Sequence, residues 1–381
     1  MKELTLIATT TFGIEAVAKR ELMALGFKVI KTENGKVTFL SDLRGIVRAN
    51  LWLRSVDRVL IQMGEFKADN FDDLFDNVKA MNWGEIIPEK GKFVVNGKSL
   101  KSKLTSVPAL QKIVKKAIVN NLKEKYLVDW LEETGDDHTV QVSLLKDVAT
   151  ITLDTSGPAL HKRGYRVESV LAPLKETLAA SMVLLSFFSK ERALHDLFCG
   201  SGSIVIEAAM IAKNIAPGIK RDFASKHWDF IPEKYWKEEI KLAYLAIDNK
   251  TDIKIYGSDI DEKAIIAAKA NAIEAGVDDV ITFEVKDFND VYLHDDYGIF
   301  IANPPYGERL EDAKRAHTMY GRLGHKFKTL DTWSKYIITS DKEFEKAFKK
   351  TCDRKRKLYN GRIETWYYQY YGPRPKREVN E

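Results

Sequence analysis

Four short stretches of this chain carry residue types suited to chemistry on a charged, aromatic ligand. They are Asp196-Leu-Phe-Cys-Gly-Ser-Gly202, Gly257-Ser-Asp-Ile-Asp261, Lys286-Asp-Phe288 and Asn303-Pro-Pro-Tyr306. In the first, an apolar run from Ala193 to Phe198 stops at a loop of small residues, and a helical pattern starts at Ile204. Strand, glycine turn and helix N-terminus in that order make the first βα unit of a nucleotide-binding sheet. Gly200 and Gly202 let the backbone approach a ligand where a Cβ would intrude. There is no third glycine for a pyrophosphate and no Gly-Lys-Ser/Thr, so neither a dinucleotide site nor a P-loop fits.

The other three stretches extend the same site. A carboxylate at Asp259 can accept both hydroxyl protons of a ribose, a bidentate geometry that neutral side chains match poorly. Asp261 is placed to cap the helix that follows. Asp287 can accept from the exocyclic amine of an adenine, with Phe288 flanking the ring. In Asn303-Pro-Pro-Tyr306 two prolines fix φ and remove donors, so the carbonyls of Asn303 and Pro304 point in set directions. Two acceptors beside the face of Tyr306 suit a planar base that carries an NH₂ group.

These motifs need a sheet that brings strand ends together, and residues 192–381 read as one. The pattern gives strand 193–198, helix 203–213, strand 253–260, helix 263–275, strands 281–285 and 298–302, a helix near 315–328, strand 335–339 and helix 342–350. A hairpin follows, Arg356 to Tyr359 and Arg362 to Tyr370, turning at Asn360-Gly361. Such alternation predicts an α/β fold with a doubly wound, mostly parallel sheet and an antiparallel C-terminal hairpin at its edge. Ligands then sit beyond the carboxyl ends of the strands, where the four motifs fall. Residues 214–250 interrupt the alternation with an insertion rich in aromatics and lysine.

Upstream, residues 1–68 read β-α-β-β-α-β, a ferredoxin-like order, with Asn34-Gly35 folding the central hairpin. Residues 69–160 form a second α+β unit. It has a helix from Phe71 to Met81, a strand from Phe93 to Asn96, an amphipathic helix from Val107 to Tyr126 and a hairpin between Thr139 and Asp154. Residues 161–191 are a connecting segment and helix.

Composition narrows the class. At 381 residues, with 45% hydrophobic and 30% charged residues, the chain can hold several domains with real cores. No stretch approaches a membrane span, and the start does not read as a signal peptide. Two cysteines build neither a disulfide framework nor a metal site, which points to the cytoplasm. Net charge is +5, yet Lys90 to Lys125 holds ten lysines against one acid, Glu124. A local basic surface on a neutral body indicates a polyanionic partner.

Two resemblances follow from these residues. Lys98-Ser-Leu-Lys-Ser102 with Pro108-Ala-Leu-Gln-Lys-Ile-Val-Lys-Lys-Ala-Ile118 resembles the THUMP domain, an RNA-binding module of RNA-modifying enzymes. The set Asp196 to Ser203, Asp259, Asp287 and Asn303 to Tyr306 resembles class I S-adenosylmethionine-dependent methyltransferases that act on exocyclic nitrogens of bases. With His161-Lys-Arg-Gly-Tyr-Arg166 and Ala172-Pro-Leu-Lys-Glu-Thr-Leu-Ala-Ala180 between them, the whole chain is similar to the THUMP-containing RNA guanine-N2 methyltransferases. That family includes the methyltransferase half acting on 23S rRNA and relatives acting on tRNA.

The resemblance implies a Rossmann-like methyltransferase sheet, S-adenosylmethionine as cofactor, an RNA partner, rRNA processing as the setting and no metal. Asp196, Phe198, Gly200, Gly202 and Pro173 would hold the methionine side, lined by the Ala172–Ala180 stretch, with Asp259 on the ribose and Asp287 with Phe288 on the adenine. Asn303, Pro304 and Tyr306 would grip the target base. Lys98, Lys101, Lys112, Lys115, Lys116, Arg163 and Arg166 would meet RNA. Three other readings stand beside it: a DNA adenine-N6 methyltransferase using the same tetrapeptide, a non-catalytic RNA-binding or ribosome-assembly protein, and a protein-glutamine methyltransferase, which leaves the lysine-rich module unexplained.

Overall fold

The computed structural model describes residues 3–168, 174–306 and 310–375. The chain forms two compact units, residues 1–10, 19–160 and 221–242 in the first and 11–18, 161–220 and 243–381 in the second. No helix among the described residues is long and apolar enough to cross a membrane.

The first unit is built on a seven-stranded sheet. Its elements are β1 (Leu4–Thr9), α1 (Glu15–Ala24), β2 (Lys28–Glu33), β3 (Lys36–Ser41), α2 (Leu43–Trp52), β4 (Arg58–Lys67), α3 (Phe71–Lys79), β5 (Lys92–Leu100), α4 (Val107–Tyr126), β6 (Asp137–Leu145) and β7 (Val148–Asp154). Local chemistry sets the ends. Asp42 caps α2 and Asn70 caps α3 by accepting backbone N–H groups, and Ser106 caps α4 with Pro108 in its first turn. Gly35 takes a φ of 75° at the β2–β3 turn.

The strand order is β2-β3-β1-β4-β7-β6-β5. The ten-residue β4 pairs with β1 on one side and β7 on the other, so one sheet runs through both of the α+β units expected upstream. β5 continues past Asn96 to Leu100 because nine consecutive residues pair in parallel with β6. Its polar second half, Asn96-Gly-Lys-Ser99, carries no apolar alternation that would mark it as strand.

The second unit holds α5 (Glu176–Leu185), β8 (Leu194–Asp196), α6 (Ser203–Ala212), β9 (Ile255–Asp259), α8 (Glu262–Ala275), β10 (Ile281–Val285), β11 (Ile299–Ala302), α9 (Leu310–Lys326), β12 (Ser334–Thr339), α10 (Phe344–Phe348), β13 (Arg354–Asn360) and β14 (Ile363–Tyr370). The insertion contributes α7 (Glu233–Leu245). The stretch 221–242 clusters with the first unit, where Glu239 takes Arg44 and Arg48 and Trp228 stacks on His138 at 5.0 Å.

The strand order here is β10-β9-β8-β11-β12-β14-β13, with β8 to β12 and β10 parallel and β14 antiparallel. Apolar side chains bury on both faces, as parallel strands between helices require. Leu194, Ile255 and Ile299 pack with α6 and α8 residues, while Phe300, Ile337 and Trp333 pack with α9 and α10 residues. The strand order reverses between the parallel neighbours β8 and β11, the switch point where such sheets open a crevice.

Candidate active site

β8 is only three residues long because its chain turns sharply into α6. Gly200 and Gly202 have φ of 51° and 86°, a left-handed backbone that side chains rarely adopt. A Cβ on Gly202 would also stand 3.1 Å from Ile206 Cδ1 and 3.2 Å from Ala268 Cβ, where α6 and α8 draw together. The turn is fixed from the neighbouring strand end. Asp259 Oδ2 accepts the Gly200 N–H at 2.9 Å, and its Oδ1 accepts the Asp261 N–H at 3.0 Å. Asp261 in turn caps α8 through the Lys263 N–H.

Asp196 is the electrostatic centre. It is 1% exposed, and its Oδ1 accepts the Phe198 N–H at 3.0 Å. Burial pushes its carboxyl up to about 8, and the nearby charge of Asp259 pushes the same way. The Cys199 thiol is raised well above its ordinary range, first by burial and then by Asp196 and Asp259. Asp196 and Asp259 thus meet at one strand junction.

The remaining motifs line the same cleft, which has a volume of about 530 Å³. Phe198 and Phe288 form a tilted aromatic pair, centroids 5.2 Å apart. Asp287 Oδ1 accepts from the backbone and side-chain nitrogens of Asn289 at 2.8 and 2.7 Å, which sets its turn. On the far side stand Asn303, Pro304, Pro305 and Tyr306. The Tyr306 hydroxyl donates to Asn303 Oδ1, and burial holds that phenol well above its usual range. Pro173 lies outside the described residues.

Some lining residues carry no sequence signal of their own. Met319, Asn360 and Ile363 border the cleft, the last two from the tip of the β13–β14 hairpin, beside Leu174 of the 172–180 stretch expected there. Tyr320 of α9 holds the tetrapeptide from behind. Its hydroxyl donates to the Pro305 carbonyl at 3.0 Å and sits 3.1 Å from Thr339 Oγ1. The buried stripe of α9 foretells an inward aromatic there, but not the reach of its hydroxyl.

Three residues expected to meet RNA have other partners. Arg163 is buried with Glu207, its Nε donating at 3.3 Å, while Tyr165 donates to the same carboxylate at 3.2 Å. Arg166 donates to the Leu174 carbonyl at 2.8 Å and to Ser203 Oγ at 2.7 Å, and pairs with Glu176. It therefore ties the approach to α5 onto the first residue of α6. Lys115 is committed to the Phe93 carbonyl and to Glu133, each at 2.7 Å, with its ammonium over the Phe93 ring. Buried Arg163 and half-buried Arg166 act as struts, because guanidinium groups drawn out of water need fixed acceptors. Lys98, Lys101, Lys112 and Lys116 keep exposed side chains.

Residues 163–369 match the RMKL-like methyltransferase domain. The chain belongs to the RMKL-like methyltransferase family. Residues 5–60 match the RlmL ferredoxin-like domain, and residues 68–154 match the THUMP domain. The chain is 50% identical to YpsC of Bacillus subtilis strain 168, assigned as an RNA methyltransferase, with all of both chains covered. Among solved structures it resembles SMU.472, assigned as a methyltransferase and solved in complex with SAH, at 42% identity and a TM-score of 0.93 over 99% of this chain and 100% of that one. It equally resembles a Listeria monocytogenes protein, assigned from sequence as an N6-adenine-specific DNA methylase, at 48% identity and a TM-score of 0.93 over 98% of this chain and 97% of that one. The RMKL-like family thus joins a methyltransferase sheet to a THUMP domain in this chain.

Proposed function

We propose that this enzyme methylates the exocyclic N2 of a guanine in structured RNA, 23S rRNA first and tRNA second, with S-adenosylmethionine as donor. One observation carries the reading: the Asp196–Gly202 turn and the Asn303-Pro-Pro-Tyr306 turn face one cleft. The THUMP match supports RNA over DNA, and the exposed lysines of α4 and β5 suit a polyanion.

The cleft suits a cationic cofactor. Asp259 lies beside buried Asp196 and adds negative charge there, so a ligand that brings positive charge would favour the ionised form of Asp196. S-adenosylmethionine, when bound, supplies a methyl group activated on a positive sulfur. The chain's own residues would do the rest. Asp196 and the 200–202 turn would hold the methionine end. Asp259 would take the ribose, since each of its oxygens keeps a lone pair after accepting one N–H. Asp287, Phe198 and Phe288 would frame the adenine.

At the acceptor side, the lone pair of a base amine is delocalised into its ring and attacks poorly. Hydrogen bonds from its two N–H groups to Asn303 Oδ1 and the Pro304 carbonyl would favour a pyramidal nitrogen and stabilise the charge that grows on it. Asn303 Oδ1 keeps a second lone pair beside its bond from Tyr306, whose ring would stack on the base. A base inside a duplex must be flipped out to reach this point. Transfer would leave a cationic N-methyl ammonium, which is strongly acidic and loses its proton to water, so no dedicated general base is required.

The deciding experiment is mass analysis of modified nucleosides in 23S rRNA and tRNA from cells with and without the gene. N2-methylguanine should fall in one of the two RNAs. Unchanged RNA with less N6-methyladenine in DNA would favour the adenine reading, which the shared tetrapeptide and the Listeria relative keep in view.

A binding measurement tests the cofactor side alone. Asp259→Ala should weaken S-adenosylmethionine binding by about 1.5–3 kcal/mol, the range for a hydrogen bond to a charged group. Asp259→Asn, which keeps an acceptor for the Gly200 N–H, should lose less. Calorimetry showing equal affinity for all three proteins would remove Asp259 from the site.

A further inference from the structure

We propose that the C-terminal hairpin is an RNA-contact surface that holds phosphates of the strand beside the target base. This rests on the reading that the cleft works on RNA. Residues 349–370 hold seven basic residues against two acids, a net of +5 that equals the formal charge of the whole chain. They are Lys349, Lys350, Arg354, Lys355, Arg356, Lys357 and Arg362. This concentration lies outside the lysine-rich α4 region, and the site described above makes no use of it.

The hairpin's place in the fold gives the charge a direction. β13 is the edge strand of the second sheet, paired only with β14 among the described residues. Its far end, Asn360, and the first residue of β14, Ile363, line the cleft that holds Asn303 and Tyr306. From Arg354 to Asn360 the strand spans about 20 Å, enough for several nucleotides. A polyanion whose base enters the cleft would run its backbone along this strand.

Part of the charge is already answered by the hairpin itself and by α10. Lys357 pairs with Glu364 at 2.6 Å, and Lys355 lies 3.8 Å from Glu345 while sitting over the rings of Trp366 and Tyr368. Lys349, Lys350, Arg354 and Arg362 are exposed. Charged residues on an edge strand also discourage pairing with other chains, and that role alone would account for a few lysines. It gives no reason for the strand to end at the cleft or for arginine at its exposed start and tip. Phosphate recognition accounts for both, because arginine presents a forked donor to phosphate oxygens.

The test uses the full chain with Lys350, Arg354 and Arg362 all changed to Glu. Binding of 23S rRNA and of bulk tRNA, both from cells lacking the enzyme, is measured by filter retention across a salt series. Affinity at about 100 mM salt should fall at least tenfold, and the slope of log affinity against log salt should become shallower by about two. The matching Gln variant should lie between the triple Glu variant and the natural protein. SAH affinity should stay unchanged, which reports an intact fold. Unchanged RNA affinity and slope in a variant that still binds SAH would overturn the proposal. If the triple Glu variant binds no SAH, the three single reversals are read by the same two criteria. These readouts do not depend on the methylated product. A natural enzyme that makes no N2-methylguanine, with RNA affinity still lost in the variants, would sink the guanine reading and leave the surface standing.

Discussion

Asn303→Ala should leave S-adenosylmethionine bound while turnover falls by about 10²–10³, the loss expected when one preorganised hydrogen-bond partner of a developing charge is removed. The side chain's hydrogen bond is with the Tyr306 hydroxyl, and Pro305 is held separately by Tyr320, so the turn keeps an anchor when Asn303 is truncated. Asn303→Asp retains an acceptor and should keep measurable activity that Asn303→Ala lacks. Tyr306→Phe sharpens the reading. It preserves the ring for stacking and frees Asn303 Oδ1, so it should remain active, whereas Tyr306→Ala should lose base binding. Single-turnover methylation of RNA, assayed as N2-methylguanine, checks all four. Full activity in Asn303→Ala would mean that the tetrapeptide is structural.

Asp196→Asn should stabilise the cofactor-free protein and weaken cofactor binding at once. Burial raises the Asp196 carboxyl to about 8, far above the roughly 3.9 of an unfolded aspartate. In that window the unfolded chain is ionised while the folded one holds its proton. The stability that the neutral carboxyl allows is therefore present at acid pH and is lost as pH rises through about 8. Asparagine keeps an acceptor for the Phe198 N–H and does not titrate. The advantage of Asp196→Asn should grow from about pH 4 to about pH 8, by up to about 1.4 kcal/mol per pH unit, and then level off. Thermal unfolding without cofactor at several pH values measures it. A gap that stays flat across this window would show that Asp196 ionises normally in the fold. Saturating cofactor should reverse the order, because its positive charge compensates the aspartate and not the asparagine.

The sequence by itself determined the order of elements and the order of motifs. Glycine turns, the Asn-Gly hairpins, capping side chains and apolar periodicity act within a few residues, so strand, turn and helix could be read around Gly200, Gly202, Asp261 and Asn360-Gly361. That order, on a doubly wound sheet, already put Asp196, Asp259, Asp287 and Asn303 at strand ends on one side. Contacts between distant parts of the chain were decided only by the tertiary structure. Arg163 and Arg166 look like free cations in sequence, yet Glu207, Glu176 and Ser203 claim them inside the fold. Asp259 reaches across 59 residues to pin Gly200, and Tyr320 reaches back 15 to hold Pro305. The tip of β13 and β14 returns to the cleft although nothing in its local pattern marks it for a site. Local propensity fixes what each segment becomes. Burial and hydrogen-bond satisfaction across the fold fix which charges face the ligand and which face one another.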